Sequence, residues 1–268
     1  MDLYKLKKSS YDILNWKEKF PDYKINLRSL PINETWKPFF DLPEVKENLD
    51  IISEYLSHCL TATKGEVNIF PYPDLVFAAL NELPLNKIKV VILGQDPYYN
   101  YEMYGDKIIP QAMGLSFSVP KGITIPPSLA NIYKNLKKYS HVYKEPSHGN
   151  LAFWAYQGCL LLNTILTVQE KCPKGHEIYW KEITNSLIKY ISDNTKNVVF
   201  LLWGDPAYKK IQLIDAQKHK IIVSSHPSPL SYTTKLKQFE SFENTNHFGE
   251  ANIYLRENTN STILWEII

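Results

Sequence analysis

The sequence predicts an α/β fold, a three-layer α/β/α arrangement around a central four-stranded parallel sheet. Two patterns predict it. Four short runs, Lys89–Gly94 (KVVILG), Gly158–Asn163 (GCLLLN), Asn197–Gly204 (NVVFLLWG) and Lys220–Ser225 (KIIVSS), do not alternate polar with apolar residues, as expected of strands buried on both faces. Helix-like stretches separate the runs, and repeated strand-then-helix order requires right-handed crossovers. The size agrees: 268 residues, 44% hydrophobic and 22% charged, suit one ordinary globular domain of this class.

In chain order, residues 1–30 are expected to form an N-terminal extension and residues 31–268 a single domain, because no repeat or glycine/serine linker divides them. Asp41–Thr63 carries Leu42, Val45, Leu49, Ile52, Tyr55 and Leu56 at the spacing of an amphipathic helix. Pro71 and Pro73 mark an irregular connection before a helical stretch at Asp74–Leu83. Ser128–Tyr139 and Asn150–Gln157 lie between the first two strands, His176–Asn194 between the next pair, and Asp205–Lys218 before the last.

Composition excludes several functions. The net charge is only +2, and Arg28 and Arg256 are the only arginines among 30 basic residues. Reading guanine in the major groove uses arginine forks, so any DNA contact should be to phosphates or to an extracted base. Cys59, Cys159 and Cys172 form no C-x-x-C pair, so a cysteine-bound zinc or iron–sulfur site is not expected, and a reducing compartment fits. No apolar run reaches the roughly 18 residues of a membrane span. The polar start, Met1–Ser10, has no signal-peptide core. An intracellular protein of the nucleus or cytoplasm is expected, with no membrane partner.

In an open parallel sheet the ligand site lies beyond the carboxyl ends of the strands. Gln95-Asp96-Pro97-Tyr98-Tyr99 follows the first run, Asn163-Thr164 closes the second, Gly204-Asp205-Pro206 follows the third and His226-Pro227-Ser228-Pro229-Leu230 the fourth. Topology thus brings a carboxylate, a carboxamide and an imidazole to one edge, a set able to run a hydrolysis. Each has a plainer reading: Asp96 as a turn cap, Asn163 satisfying a buried backbone group, Phe117 and Tyr98 as core aromatics, His226 as a structural histidine.

GQDPYY (Gly94–Tyr99), GLSFSVP (Gly114–Pro120), LLLNTILTV (Leu160–Val168), LLWG (Leu201–Gly204) and HPSPLS (His226–Ser231) together resemble, in order and spacing, the motifs of family 1 uracil-DNA glycosylases. Weaker similarity runs from about Leu30 to the C-terminus. The resemblance implies a monofunctional enzyme that flips deoxyuridine out of single- or double-stranded DNA, hydrolyses its N-glycosidic bond and leaves an abasic site. It implies a monomer without metal or cofactor.

Residue by residue, the resemblance makes Asp96 the carboxylate that orients water and stabilises the cationic sugar. His226 becomes the hydrogen-bond donor to uracil O2. Gln95 contacts the uracil edge, Phe117 stacks on the base, and Tyr98 excludes the thymine methyl. The Asn163 carboxamide, one acceptor beside two donors, matches N3–H and O4 of uracil and mismatches cytosine. Leu230 becomes the wedge that fills the vacated stack, and Ser128, Ser228 and Ser231 contact phosphates.

The pattern is broken at four places. Tyr99 occupies the position of a histidine, Asp205 that of a phosphate-contacting serine, and Met113 that of another histidine. Asn100–Met113 is longer than the family's loop, either as a DNA contact or as a surface cluster of tyrosines. Asp205 should repel DNA. These departures supply the second reading, a non-catalytic DNA-binding subunit on the same fold, indifferent to uracil and to Asp96→Asn. A nucleotide-dependent transferase or dehydrogenase lacks its G-x-G-x-x-G or phosphate-cradling loop, and a zinc deaminase lacks P-C-x-x-C.

Overall fold

A computed structural model describes residues 2–144 and 146–268 of the chain. The helices in chain order are α1 (Trp16–Lys19), α2 (Lys37–Phe40), α3 (Pro43–Ala62), α4 (Ala78–Asn81), α5 (Pro127–Lys138), α6 (Ala152–Tyr156), α7 (Glu177–Asn194), α8 (Asp205–Tyr208) and α9 (His247–Thr259). The strands are β1 (Ile69–Phe70), β2 (Val90–Gly94), β3 (Tyr101–Tyr104), β4 (Lys107–Pro110), β5 (Cys159–Asn163), β6 (Val168–Gln169), β7 (Val199–Trp203) and β8 (Lys220–Ser224). The central sheet has four parallel strands in the order β5-β2-β7-β8, made by the four runs without alternation.

Every residue of β2, β5 and β7 is buried, which is why their sequences lack a polar face. Strand β8, at an open edge, keeps Lys220 exposed and Ile221 half-buried. An edge lysine also blocks pairing with another sheet. In α3, Val45, Leu49, Ile52, Leu56 and Leu60 form one buried stripe, and Pro43 starts the helix at its first turn, where no N–H is needed. The stripe packs on α7, whose Trp180, Ile183, Leu187 and Ile191 are buried in turn. All six tryptophans lie in the core.

The structure departs from the expected elements in four places. Asp74–Leu83 is a 3-10 turn followed by the single turn of α4, because residues 75–80 are buried all round and have no amphipathic stripe. Asp205–Lys218 opens as the one-turn α8 and continues only as 3-10 helix to Leu213, since its apolar residues do not keep helical spacing. The long Asn100–Met113 stretch contains the β3–β4 hairpin. Helix α9 has Asn246 capping the Gly249 N–H and left-handed Asn260 ending it, signals that sequence reading could have used.

The first thirty residues are built into the body. Leu3, Tyr11, Trp16 and Leu27 are buried, and the Trp16 indole donates to the Pro71 carbonyl. Lys7 and Lys121 form a parallel bridge. Lys8 pairs with Glu102 of β3 at 2.6 Å, and Lys107 of β4 reaches Asp12 at 3.4 Å.

Candidate active site

The tips of β2 and β5 meet by register. Gly94 lies opposite Asn163, and a Cβ at Gly94 would collide with Asn163 Oδ1 and the Ser116 side chain. Glycine is thus required for the carboxamide to sit beside the strand. The tips are then strapped together. Thr164 N–H donates to the Gly94 carbonyl, while Ile165 N–H and Thr164 Oγ1 donate to the Gln95 carbonyl at 2.9 and 3.0 Å. With that carbonyl committed, Gln95 can offer a ligand only its N–H or its side chain.

Beyond these tips a cavity of about 180 Å³ opens. Gln95, Asp96, Tyr98, Phe117, Ser128, Asn163 and His226 all line it, with Tyr99 at its rim. Seven residues expected from five separate stretches of sequence therefore converge on one space.

Asp96 is partly buried, and one carboxylate oxygen, Oδ2, accepts the Lys174 N–H at 3.0 Å. Burial pushes its carboxyl above the usual range, opposed by that hydrogen bond and the nearby Lys174 charge. Lys174 itself has φ +62°, a left-handed conformation that a lysine adopts at a cost. The loop carrying it is anchored by buried His176, whose Nδ1 meets Thr167 Oγ1 at 2.9 Å.

Phe117 has φ +62°, strain of about 1–3 kcal/mol that the fold must hold in place. The Tyr98 hydroxyl donates to the Phe117 carbonyl at 3.3 Å, and the Phe117 ring packs 5.4 Å from Trp203 and 5.8 Å from His226, centroid to centroid. Burial raises the Tyr98 phenol well above its ordinary value, so it stays a neutral donor.

His226 follows β8, and Gly204 makes room for it, since a Cβ there would come 2.9 Å from the His226 Cβ. Burial lowers its imidazole to about 4. The Ser228 N–H donates to Nδ1 at 3.0 Å, so the ring hydrogen sits on Nε2. A neutral ring with a fixed Nε2–H donor results.

The loop that follows is tied down. Asn131 of α5 donates to the Pro227 carbonyl at 2.8 Å, Ser225 Oγ to the Ser231 carbonyl at 2.7 Å and Ser231 Oγ to the His226 carbonyl at 3.1 Å. Ser228 and Ser231 hydroxyls also meet each other at 3.0 Å. These two serines lie outside the lining of the 180 Å³ cavity and already have partners within their own loop. Leu230 stands at the loop's tip, 94% exposed.

Two of the anomalous positions gain an explanation. Asp205 pairs with Lys209 at 2.7 Å and Lys237 at 3.1 Å, so the charge expected to repel DNA is offset by two cations. Met113 is fully buried, with the Ser118 hydroxyl 3.0 Å from its sulfur, and acts as core. Sequence reading missed the loop of Lys174 altogether, because a backbone N–H leaves no mark on residue type.

Residues 80–256 match the family described as the Uracil DNA glycosylase superfamily. A uracil-DNA glycosylase of Helicobacter hepaticus is 43% identical over 251 residues, covering 90% of this chain and 98% of its own. A probable uracil-DNA glycosylase of Acanthamoeba polyphaga mimivirus is 39% identical over 97% of this chain and 71% of its own. The crystal structure of mimivirus uracil-DNA glycosylase superposes with a TM-score of 0.91 at 39% identity, over 98% of each chain.

Proposed function

The chain belongs to the uracil-DNA glycosylase superfamily, and from that membership we propose that it releases uracil from DNA by hydrolysing the N-glycosidic bond. The observation that carries the reading is the convergence of Asp96, Asn163, His226, Phe117 and Tyr98 on a single cavity. The alternative of a DNA-binding subunit without catalysis gives no reason for that convergence.

The chemistry follows from the geometry. Deoxyuridine swings out of the stack, and Leu230, already exposed on a braced loop, fills the gap, offsetting an unstacking cost of a few kcal/mol. The expelled base lies on the Phe117 ring, an interaction of about 1–3 kcal/mol. Asn163 Oδ1 accepts uracil N3–H and its amide nitrogen donates to O4, an order that cytosine reverses. Tyr98 stands against C5, leaving no room for a methyl group.

As the C1′–N1 bond breaks, electrons pass to the base and charge grows at O2, where the Nε2–H of His226 donates. Because that imidazole is neutral down to about pH 4, it stabilises the anion without transferring its proton. The cationic sugar meets the Asp96 carboxylate, whose Oδ2 is held by Lys174, leaving Oδ1 to direct a water. The water's hydroxyl joins C1′ and its proton goes to the released base. No lysine is found among the described residues lining the cavity, so no Schiff base forms and the abasic strand stays uncut. One copy of the chain supplies every lining residue, so a monomer suffices.

The test is uracil release from oligonucleotides that carry a single U, T or C. Release from the U strand alone, with Tyr98→Ala gaining activity on the T strand, is the expected result. Uracil-indifferent DNA binding without release overturns the reading in favour of the non-catalytic subunit.

A further inference from the structure

Gln95 also lines a groove of about 610 Å³ that runs between α7 and the segment after β7. Lys174, Lys181, Lys209 and Lys210 line it, against the single carboxylate of Glu177. Lys209 is partly spoken for by Asp205 at 2.7 Å. Lys174, Lys181 and Lys210 form no ion pair among the described residues, unlike Lys189 and Lys218 on the flanking elements.

Lys210 is the unusual member. It is half-buried and directed by a 2.6 Å hydrogen bond from its Nζ to Asn185 Oδ1, a neutral acceptor. Burial and the charge of Lys181 both push its ammonium below the ordinary lysine value, while Glu177 and Glu182 act the other way. A half-desolvated ammonium beside a second cation is costly unless an anion completes it. Gln95 lines both this groove and the base cavity, and the Lys174 loop supplies the N–H that holds Asp96. An anion bound here therefore lies next to the reacting centre.

We propose that the groove lined by Lys174, Lys181 and Lys210 binds backbone phosphate of the DNA strand whose base occupies the cavity. The proposal rests on the glycosylase reading for the identity of the strand. Its occupant is a phosphodiester rather than a carboxylate peptide, because the groove continues the site where a strand must already pass. Lysines suit such a groove, since they act as point charges on phosphate and read no sequence.

The experiment measures the Kd of a uracil-free single-stranded oligonucleotide over a range of salt concentration, and in parallel uracil release from its U-containing twin. The variants are Lys181→Gln, at an exposed position, the double variant Lys181→Gln with Lys210→Gln, and Lys46→Gln in the separate groove around Arg28 as control. Each phosphate neutralised on a single strand contributes about 0.7 to the slope of log Kd against log salt. The expected result is a slope shallower by about 0.7 for Lys181→Gln and about 1.4 for the double variant. The control should keep both the wild-type slope and the wild-type uracil release. Wild-type slopes in both groove variants overturn the proposal, as does a fall in kcat with unchanged slope, which would make these lysines structural. If the wild type releases no uracil while the slopes still change, the activity reading fails and the groove stands.

Discussion

Phe117 shows how much one residue's backbone can decide. A phenylalanine at φ +62° is unfavourable, yet that twist turns its ring to the cavity, and the Tyr98 hydroxyl fixes the carbonyl that results. Asp96 makes the same exchange in electrostatic form. Its burial raises the carboxyl, so the ionised state that the proposed mechanism uses is disfavoured by the fold. Two outcomes follow for Asp96→Asn. Uracil release should fall by about 10²–10⁴-fold, while thermal unfolding at neutral pH should shift upward, because the folded state no longer holds a partly desolvated charge. Calorimetry beside the release assay checks both; unchanged activity would remove the carboxylate from the mechanism. The sign follows from linkage: a raised carboxyl pKa means the folded state favours the protonated form, so its contribution to stability is lost as pH rises through that pKa. The acid limb of the rate should accordingly lie above the ordinary carboxylate range.

The loop after β8 is braced by its own serines and by a neighbouring helix. Asn131 of α5, 5% exposed, is the tie, and its loss would leave the Pro227 carbonyl buried without a donor. Asn131→Ala should cost about 1–3 kcal/mol of stability and reduce release from duplex DNA more than from single strands, since the wedge proposed for Leu230 acts only in a duplex. Equal losses on both substrates would detach the tie from base expulsion. The four sheet strands were legible because total burial writes itself as an unbroken apolar run, and the amphipathic α3 and α7 because half-burial writes a stripe. The β3–β4 hairpin and α4 were not. The hairpin's strands are partly exposed on both faces, and α4 is buried all round, so neither carries a period. At the site, side chains that define the pocket could be named from strand ends and motifs. The Lys174 amide, the His226 tautomer and the pairing of Asp205 arise from distant chain segments meeting, which no local pattern records.

The molecule as a whole is sensitive to acid through its interior histidines. Burial lowers His176 and His226 to about 4 and His247 to about 3, against 6.5 in an unfolded chain. For a depressed histidine the neutral form is favoured by folding, so its contribution is present above the unfolded pKa and is lost as pH falls through the folded one. Stability should therefore drop steadily between pH 6.5 and about 4, with as many as three protons taken up by these rings on unfolding. Chemical denaturation across that range checks it, and His247→Phe, at the most deeply buried ring, should flatten the curve by about one proton. A pH-independent midpoint would contradict the assignment. The same view of the whole changes the meaning of the chain's opening residues. Lys8 and Asp12 pair with Glu102 and Lys107 of the β3–β4 hairpin, which follows Tyr99 at the rim of the cavity. Two stretches that look like independent ornaments in the sequence are thus a clasp and its catch. A chain trimmed of its first dozen residues would lose both of those ion pairs, leaving Glu102 with its bond from the Thr124 N–H.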